Sequence, residues 1–449
     1  MSIQSIVDLV NGLLWDKLLI FALLGTGIFY TIYLGVPQLS KVGEGFKLSF
    51  GGLFKKRGES EEGSMTSFQA LATAIAAQVG TGNLAGVATA IAAGGPGAIF
   101  WMWISAIFGM GTIFGEAVLA QKYSERIDGE LTGGPAYYLS KGLNSKFLAA
   151  IFAVLIIFAL GFVGNMVQSN SIAVAVHEAF GINKLIIGIV IAVCAGLILI
   201  GGMKRIASFA EFVVPFMAAI YIIGSLVIIF KNTSAILPAF QSIFVGAFSS
   251  QAVGGGVLGV TVKQAVRFGI SRGLFSNEAG MGSTPHAHAV AKVAHPAQQG
   301  MVAMVGVIID TMVVCTATAL VNLVTQANLT GLTGAAMTQK AFELGLGRFG
   351  VVFIAVSLFF FAFTTIIGWT FFGEANVKYL FGPKAVNPYK LLVLLFIVGG
   401  AMLQVDLVWD LADMFNGLMV IPNLIGLLIL SPQVVKIMKD YDNNFKKTL

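Results

Sequence analysis

Long apolar runs separated by short polar breaks dominate this chain. The runs fall at 18–35, 66–93, 97–121, 147–176, 184–202, 206–230, 237–260, 299–326, 349–379, 389–404 and 407–430. Most approach or exceed the roughly 20 residues that an α-helix needs to cross a bilayer. The pattern predicts an all-α, polytopic membrane protein with eleven transmembrane helices. Runs longer than a crossing requires are expected to tilt or to extend past the lipid. No basic segment precedes the first run, which is too long for a removable signal, so it is expected to be retained.

Two runs are interrupted. Inside 66–93 stands Ala76-Ala77-Gln78-Val79-Gly80-Thr81-Gly82-Asn83-Leu84-Ala85-Gly86. Each glycine weakens a helix by about 1 kcal/mol relative to alanine. Unwound backbone at membrane depth survives only when buried in protein or lining a cavity. The stretch therefore fits either a broken helix whose freed peptide groups bind a ligand, or a glycine-rich helix that lets a neighbour approach. The run 237–260 contains Ser249-Ser250-Gln251-Ala252-Val253-Gly254-Gly255-Gly256, which has the same character. With the first run set aside, ten remain as five plus five. The two interrupted runs then open the two halves in opposite orientations. That arrangement predicts an inverted-repeat transporter with two discontinuous helices. The units expected are 1–63 (the N-terminal helix and a cytoplasmic linker), 64–231 and 232–430 (the two repeats) and 431–449 (a cytoplasmic tail).

Composition supports the membrane assignment. The chain is 57% hydrophobic and 11% charged, against about 25% charged in soluble domains. The net charge of +6 is spread over short loops rather than gathered in a patch, so no nucleic-acid partner is expected. With alternating loops, 22 of the 27 Lys and Arg fall on one side. The positive-inside rule then puts the N-terminus outside and the C-terminus in the cytoplasm of a multi-pass cell-membrane protein. Sequons at Asn232 and Asn328 fall outside by this topology. Cys194 and Cys315 lie in apolar runs, as packing residues.

Candidate chemistry follows from the break. A half-helix starting near Gly82 offers free N–H groups to a carboxylate. One ending near Val79 offers carbonyls to an ammonium group or to Na⁺. Asn165 and Gln168 share one helix face with Gly161 and Ile172, while Asn170 points elsewhere. Such buried amides serve either a site or helix association. Thr364 and Thr365 either bond their own i−4 carbonyls or offer hydroxyls to Na⁺. Trp369 either walls a cavity or packs. Asp310, mid-run, either couples protons or bonds neighbouring helices; Glu116, Glu211 and Glu374 lie nearer the inner ends. Thr261–Gln299 is expected to be a polar inside segment, a gate or a plain connector, in which Ser276 would cap a short interfacial helix. It carries His286, His288 and His295 but lacks a cysteine or carboxylate set for a metal.

The stretch Gly94-Gly95-Pro96-Gly97-Ala98-Ile99-Phe100-Trp101-Met102-Trp103, running on to Gly109, resembles the signature of the alanine/glycine:cation symporter family. The break and Ser276–Ser283 resemble that family too, and the likeness covers nearly the whole chain. It implies Na⁺- or H⁺-coupled uptake of alanine or glycine, on the inverted-repeat fold of the amino acid–polyamine–organocation transporters. No enzyme activity and no cofactor beyond the coupling ion are implied. By this resemblance the amides of Thr81 and Gly82, beside Gly80, would hold the substrate carboxylate. The carbonyls of Ala76, Val79 and Phe361, with the hydroxyls of Thr364 and Thr365, would hold Na⁺. Phe248, Ser249 and Gln251, with Gly254, would face substrate from the second break, and Gln78 and Asn83 lie where relatives place a second ion. A channel is disfavoured because nothing resembles a selectivity filter. A membrane enzyme is disfavoured because no His/Asp/Glu cluster lies at a span end.

Overall fold

A computed structural model describes residues 3–51, 63–249, 261–403 and 405–448. The architecture is helical, with one small antiparallel hairpin. Among the described residues, seven helices are long and apolar enough to cross a membrane, and an eighth is added when one bent pair is taken as a single span.

Helix α1 (Ile3–Leu13) passes through a π-helical stretch into α2 (Leu19–Tyr33), where the first run is expected. Gly35 and Val36, both at positive φ, separate α2 from a helical turn at Pro37–Ser40, and α3 (Val42–Phe50) follows. Helix α4 (Ser67–Gln78) starts at a capping box, with Thr66 and Gln69 each satisfying the other's backbone N–H. After a π-helical turn (Gly82–Gly86) comes α5 (Val87–Gly94), and the segment as a whole is bent by 51°. Positive φ at Gly95 ends α5 and starts α6 (Gly97–Lys122). The hairpin β1 (Glu125–Ile127) and β2 (Glu130–Thr132) turns at Asp128-Gly129, both at positive φ. Then come α7 (Pro135–Gly142), α8 (Lys146–Phe180), α9 (Lys184–Leu199), α10 (Gly202–Lys231) and α11 (Thr233–Phe248).

The second half contains α12 (Val262–Asn277), short α13 (Pro285–Ala289), α14 (Pro296–Val324), α15 (Gly334–Leu346), α16 (Arg348–Phe381), α17 (Pro383–Met402) and α18 (Val405–Asn443). Backbone N–H and C=O bonds of Met65, just before α4, pair with Val290 O (2.9 Å) and Lys292 N (2.8 Å), just after α13.

Helix α6 is the post against which the interrupted segments lie. Its first residue meets α11 so closely that a Cβ on Gly97 would lie 2.1 Å from the Gly246 carbonyl carbon. Helix α12 then runs beside α6: Gly269 lies over Ala98 and Gly273 over Ser105, and Ala279 reaches Gly109 near the middle of α6. Two expectations are corrected here. Thr261–Gln299 is not a peripheral connector, because most of it is buried in the protein, and α12 ends halfway along α6. Two of its polar side chains find partners inside the protein: Arg272 with Asp413 at 2.8 Å and Ser276 with Asp310 at 2.7 Å. Ser276 caps nothing, since it sits in the last turn of α12, whose capping box is formed by Thr261 and Gln264. The run at 237–260 corresponds to α11 only as far as Phe248, and 250–260 lie outside the described residues.

Gly97→Val should force the α6–α11 crossing apart. The expected cost is about 1–3 kcal/mol, typical of overpacking, read as a lower unfolding midpoint for the detergent-purified protein.

The helix break as a candidate functional site

The coil of α4 is lost at Val79, whose φ of −80° and ψ of 88° leave the helical region. Two of the peptide N–H groups released there are caught by side chains. Gly80 N donates to Asn83 Oδ1 (2.9 Å), and Thr81 N donates to Gln168 Oε1 (3.2 Å) from α8. Asn83 is itself held, its Nδ2 donating to Asp310 Oδ1 at 2.6 Å. Asp310 also accepts from Ser276 (2.7 Å) and Thr311 (2.8 Å), within a π-helical stretch of α14. Three donors on one buried carboxylate fix the amide that in turn fixes Gly80.

The carbonyls released on the other side converge on α16. Thr365 Oγ1 lies 3.0 Å from Ala76 O, 3.4 Å from Val79 O and 3.1 Å from its own helix's Phe361 O. Thr364 Oγ1 donates to Phe361 O at 2.9 Å. One hydroxyl proton cannot satisfy three carbonyls at once. The result is a buried nest of oxygens, the donor set that a hard cation prefers. Close approach makes it possible: a Cβ on Gly80 would lie 2.4 Å from Thr365 Oγ1 and 3.1 Å from Gln168 Oε1. All five residues expected around Na⁺ are thus neighbours.

A second interruption faces the first, after α12; the glycine run expected to hold one lies, from residue 250 on, outside the described residues. After α12 the chain turns through Glu278, Gly280 and Gly282, with φ of +59°, +89° and +80°. Gln78 Nε2 donates to Asn277 O at 2.6 Å. A Cβ on Gly82 would meet Phe275 Cδ1 at 3.2 Å and Ser276 Cα at 3.3 Å. Trp369 joins this wall, its indole edge-on to Phe275 (5.9 Å between centroids) and its Nε1 donating to Glu278 Oε1 at 2.6 Å. Glu278 also accepts from the Ser283 hydroxyl. Phe275, Ser276, Asn277 and Glu278 are site neighbours that a hydropathy reading passes over. The usable signal is Asn277-Glu278 followed by Gly280-Met281-Gly282, a cluster suited to positive φ.

The other expected residues divide. Asn165 Nδ2 donates to Gly161 O (2.9 Å) and Thr370 Oγ1 (3.1 Å). Its Oδ1 is buried without a partner, as are Gln78 Oε1 and Thr81 Oγ1. Phe248 is not brought to the break: it is 63% exposed and lies against Phe100 and Trp101. Ser249 caps α11, while Gln251 and Gly254 lie outside the described residues. The remaining intramembrane carboxylates are tied. Glu116 takes Gly280 N (3.1 Å), Gly282 N (2.9 Å) and Asn423 Nδ2 (2.6 Å). Glu374 pairs with Lys378 (3.1 Å) and Lys390 (3.0 Å), and Gln69 bonds Glu211 (3.0 Å). Among the described residues no group of three or more His, Cys, Asp or Glu is placed to hold a metal. His286 instead contacts Ser283 O (2.6 Å) and Asn376 (2.8 Å) between the rings of Phe152 and Phe372.

Facing interruptions inside a bundle of apolar helices define a multi-pass membrane transporter. The Sodium:alanine symporter family model matches residues 1–449, and the chain belongs to that family; it is a transporter and not an enzyme. It is 46% identical over 451 residues to the sodium/alanine symporter AgcS of Methanococcus maripaludis, covering 98% of both chains. It is 43% identical to the probable sodium/glutamine symporter GlnT of Bacillus subtilis, covering 99% of this chain and 92% of that one. Among solved structures it shares its fold with the manganese transporter of Eremococcus coleocola, at a TM-score of 0.53 and 14% identity, covering 83% of this chain and 78% of that one.

Gly80→Ala should push Thr365 out of the oxygen nest. Transport should fall to background while the protein still elutes as a single species, because the displaced group is one side chain.

Proposed function

We propose that this chain carries small neutral amino acids, alanine and glycine, into the cell together with Na⁺ by alternating access. The observation that carries this reading is the Thr365 hydroxyl lying within reach of carbonyls from both α4 and α16. Replacing that proton's contacts by Na⁺ would satisfy all three carbonyls at once. Ala76, Val79, Phe361, Thr364 and Thr365 are the ion ligands in this reading. Thr81, Gly82, Gln168 and Asn165 meet the zwitterion, with Trp369 and Phe275 as the apolar wall. A wall of two rings beside a crowded glycine suits a methyl group or a hydrogen as the side chain. The sodium/alanine name of the AgcS relative agrees; the sodium/glutamine name of GlnT marks how side-chain size can vary on such a frame.

In this reading the spans number eleven, as one N-terminal helix and two five-helix halves of opposite orientation. The halves open with α4–α5 and with α12–α13. Short helices α7 and α15 occupy corresponding loops, each between the second and third span of its half. The N-terminus lies outside and the C-terminal tail in the cytoplasm. Lys263, Arg267 and Arg272 leave the inner loops for α12, and the basic excess of the inner side persists without them.

A second reading makes Asp310 the site of proton coupling. Its three hydrogen-bond donors favour the structural role, holding Asn83 against Gly80. Uptake into proteoliposomes, under an imposed Na⁺ gradient and then a pH gradient, separates the two. Thr365→Ala should raise the Na⁺ concentration for half-maximal uptake by about tenfold or more, the cost of a lost charge-assisted contact; unchanged Na⁺ activation overturns the ion site. Asp310→Asn should leave uptake driven by Na⁺ alone. A wild-type protein that responds to the pH gradient only, and an Asp310→Asn protein that responds to neither, would establish proton coupling instead.

A further inference from the structure

The turn after α12 holds one residue that its own backbone argues against. Glu278 closes the helix at φ +59° and ψ 11°, the left-handed region that side chains resist and glycine does not. The same turn uses glycine at its other positive-φ positions, Gly280 (+89°) and Gly282 (+80°). A glutamate standing where glycine would sit without strain calls for a role of its side chain. That side chain is fully buried. Its Oε1 accepts from Trp369 Nε1 at 2.6 Å, and its Oε2 accepts from the Ser283 hydroxyl.

Trp369 stands on α16 one turn beyond Thr365, whose hydroxyl reaches Ala76 O and Val79 O at the first break. Its six-membered ring lies so close to α8 that a Cβ on Gly164 would fall 2.6 Å from Cζ3. Phe275 meets the indole edge-on, and the Phe275 ring is the nearest neighbour that a Cβ on Gly82 would find, at 3.2 Å. The indole therefore bridges α8 and the ring that covers Gly82. An indole has a single donor. Turned away from Glu278, that N–H would be buried without an acceptor, at a cost in free energy. A carboxylate only accepts, and its bond is charge-assisted and strong. We propose that Glu278 is a positioning residue that limits substrate size. By holding Trp369 in one orientation, it keeps the room beside Gly82 too short for a side chain larger than methyl. This inference rests on the amino-acid transport reading and adds to it the group that sets the limit. Trp369 travels with α16 and Glu278 with the turn after α12, so the limit is in force only while the two are together.

The test is competition for binding of radiolabelled alanine to the full chain in lipid nanodiscs, with 2-aminobutyrate, valine and leucine as competitors. The readout is the half-inhibitory concentration of each competitor divided by that of alanine. A merely structural defect lowers the amount of alanine bound and leaves this ratio alone. Glu278→Gly removes the side chain at a φ that glycine takes freely. It should lower the ratio for 2-aminobutyrate by about tenfold, within what one methylene is worth in an apolar pocket. Glu278→Leu fills the space without accepting a hydrogen bond, and should act in the same direction if the glycine variant does not fold. Glu278→Gln keeps an oxygen for Trp369 Nε1 and offers an N–H to Ser283 Oγ, so it should keep the unmodified ratio. Glycine and leucine variants that discriminate as the unmodified chain does overturn the size limit and leave the symport reading standing. A glutamine variant that has lost discrimination also overturns it, by making charge rather than the bond the cause. Variants that elute as a single species yet bind no alanine overturn the positioning role, by putting the carboxylate on the ligand itself. An unmodified chain that binds none of these amino acids overturns the transport reading as well.

Discussion

A peptide group that leaves its helix in the middle of a bilayer must find its hydrogen bonds inside the same protein. Val79–Gly82 is such a place, and the surroundings are arranged to meet that demand. Side chains from three directions do so. Asn83 folds back on Gly80, Gln168 reaches in from α8, and Thr365 approaches from α16. The last of these requires a residue without a side chain at position 80. Polar groups here do not compete with the apolar core; they are the means by which the chain can be uncoiled inside it.

The same demand orders the next layer. Asn83 holds its orientation because Asp310 accepts from it, and Asp310 is steadied by Ser276 of α12 and by Thr311 beside it. Helix α12 is in turn placed by its contact along α6 and by the Arg272–Asp413 pair with α18. The two interruptions are thus linked by Gln78–Asn277 directly and by Asn83–Asp310–Ser276 at one remove. A ligand that altered the bonding of either break would be felt by the other.

Much of this is legible in the residues. Apolar length locates most spans to within a few positions. Gly80 and Gly82, set among Gln78, Thr81 and Asn83, mark the first break, because polar and helix-weakening residues crowd the middle of an otherwise apolar run. The oxygens of α16 proposed as ion ligands come only through the family resemblance, since neighbouring threonines alone do not say which carbonyls face them. Hydropathy passes over the interruption after α12. It counts Lys263, Arg267 and Arg272 as solvated charge and cannot know that Arg272 meets Asp413, 141 positions away. A stretch whose polarity is satisfied by distant partners looks like a loop until the fold brings the partners together. The positive-φ glycines Gly280 and Gly282 are then passed over, while the glycine-rich Gly254–Gly259 lies outside the described residues. Helix α1 escapes a hydropathy reading because it is short and polar on one side, and it is held by contacts to α18 such as Gln4–Asp410.

The β-type bridge of Met65 to the chain at Val290 and Lys292 has a mechanical consequence. It staples the start of α4 to the chain just beyond α13, on the side of the bundle away from Arg272. Neither arm can swing alone without rupturing two main-chain bonds. Any opening at this end of the bundle must therefore carry both arms as one lever, pivoting about the uncoiled turns.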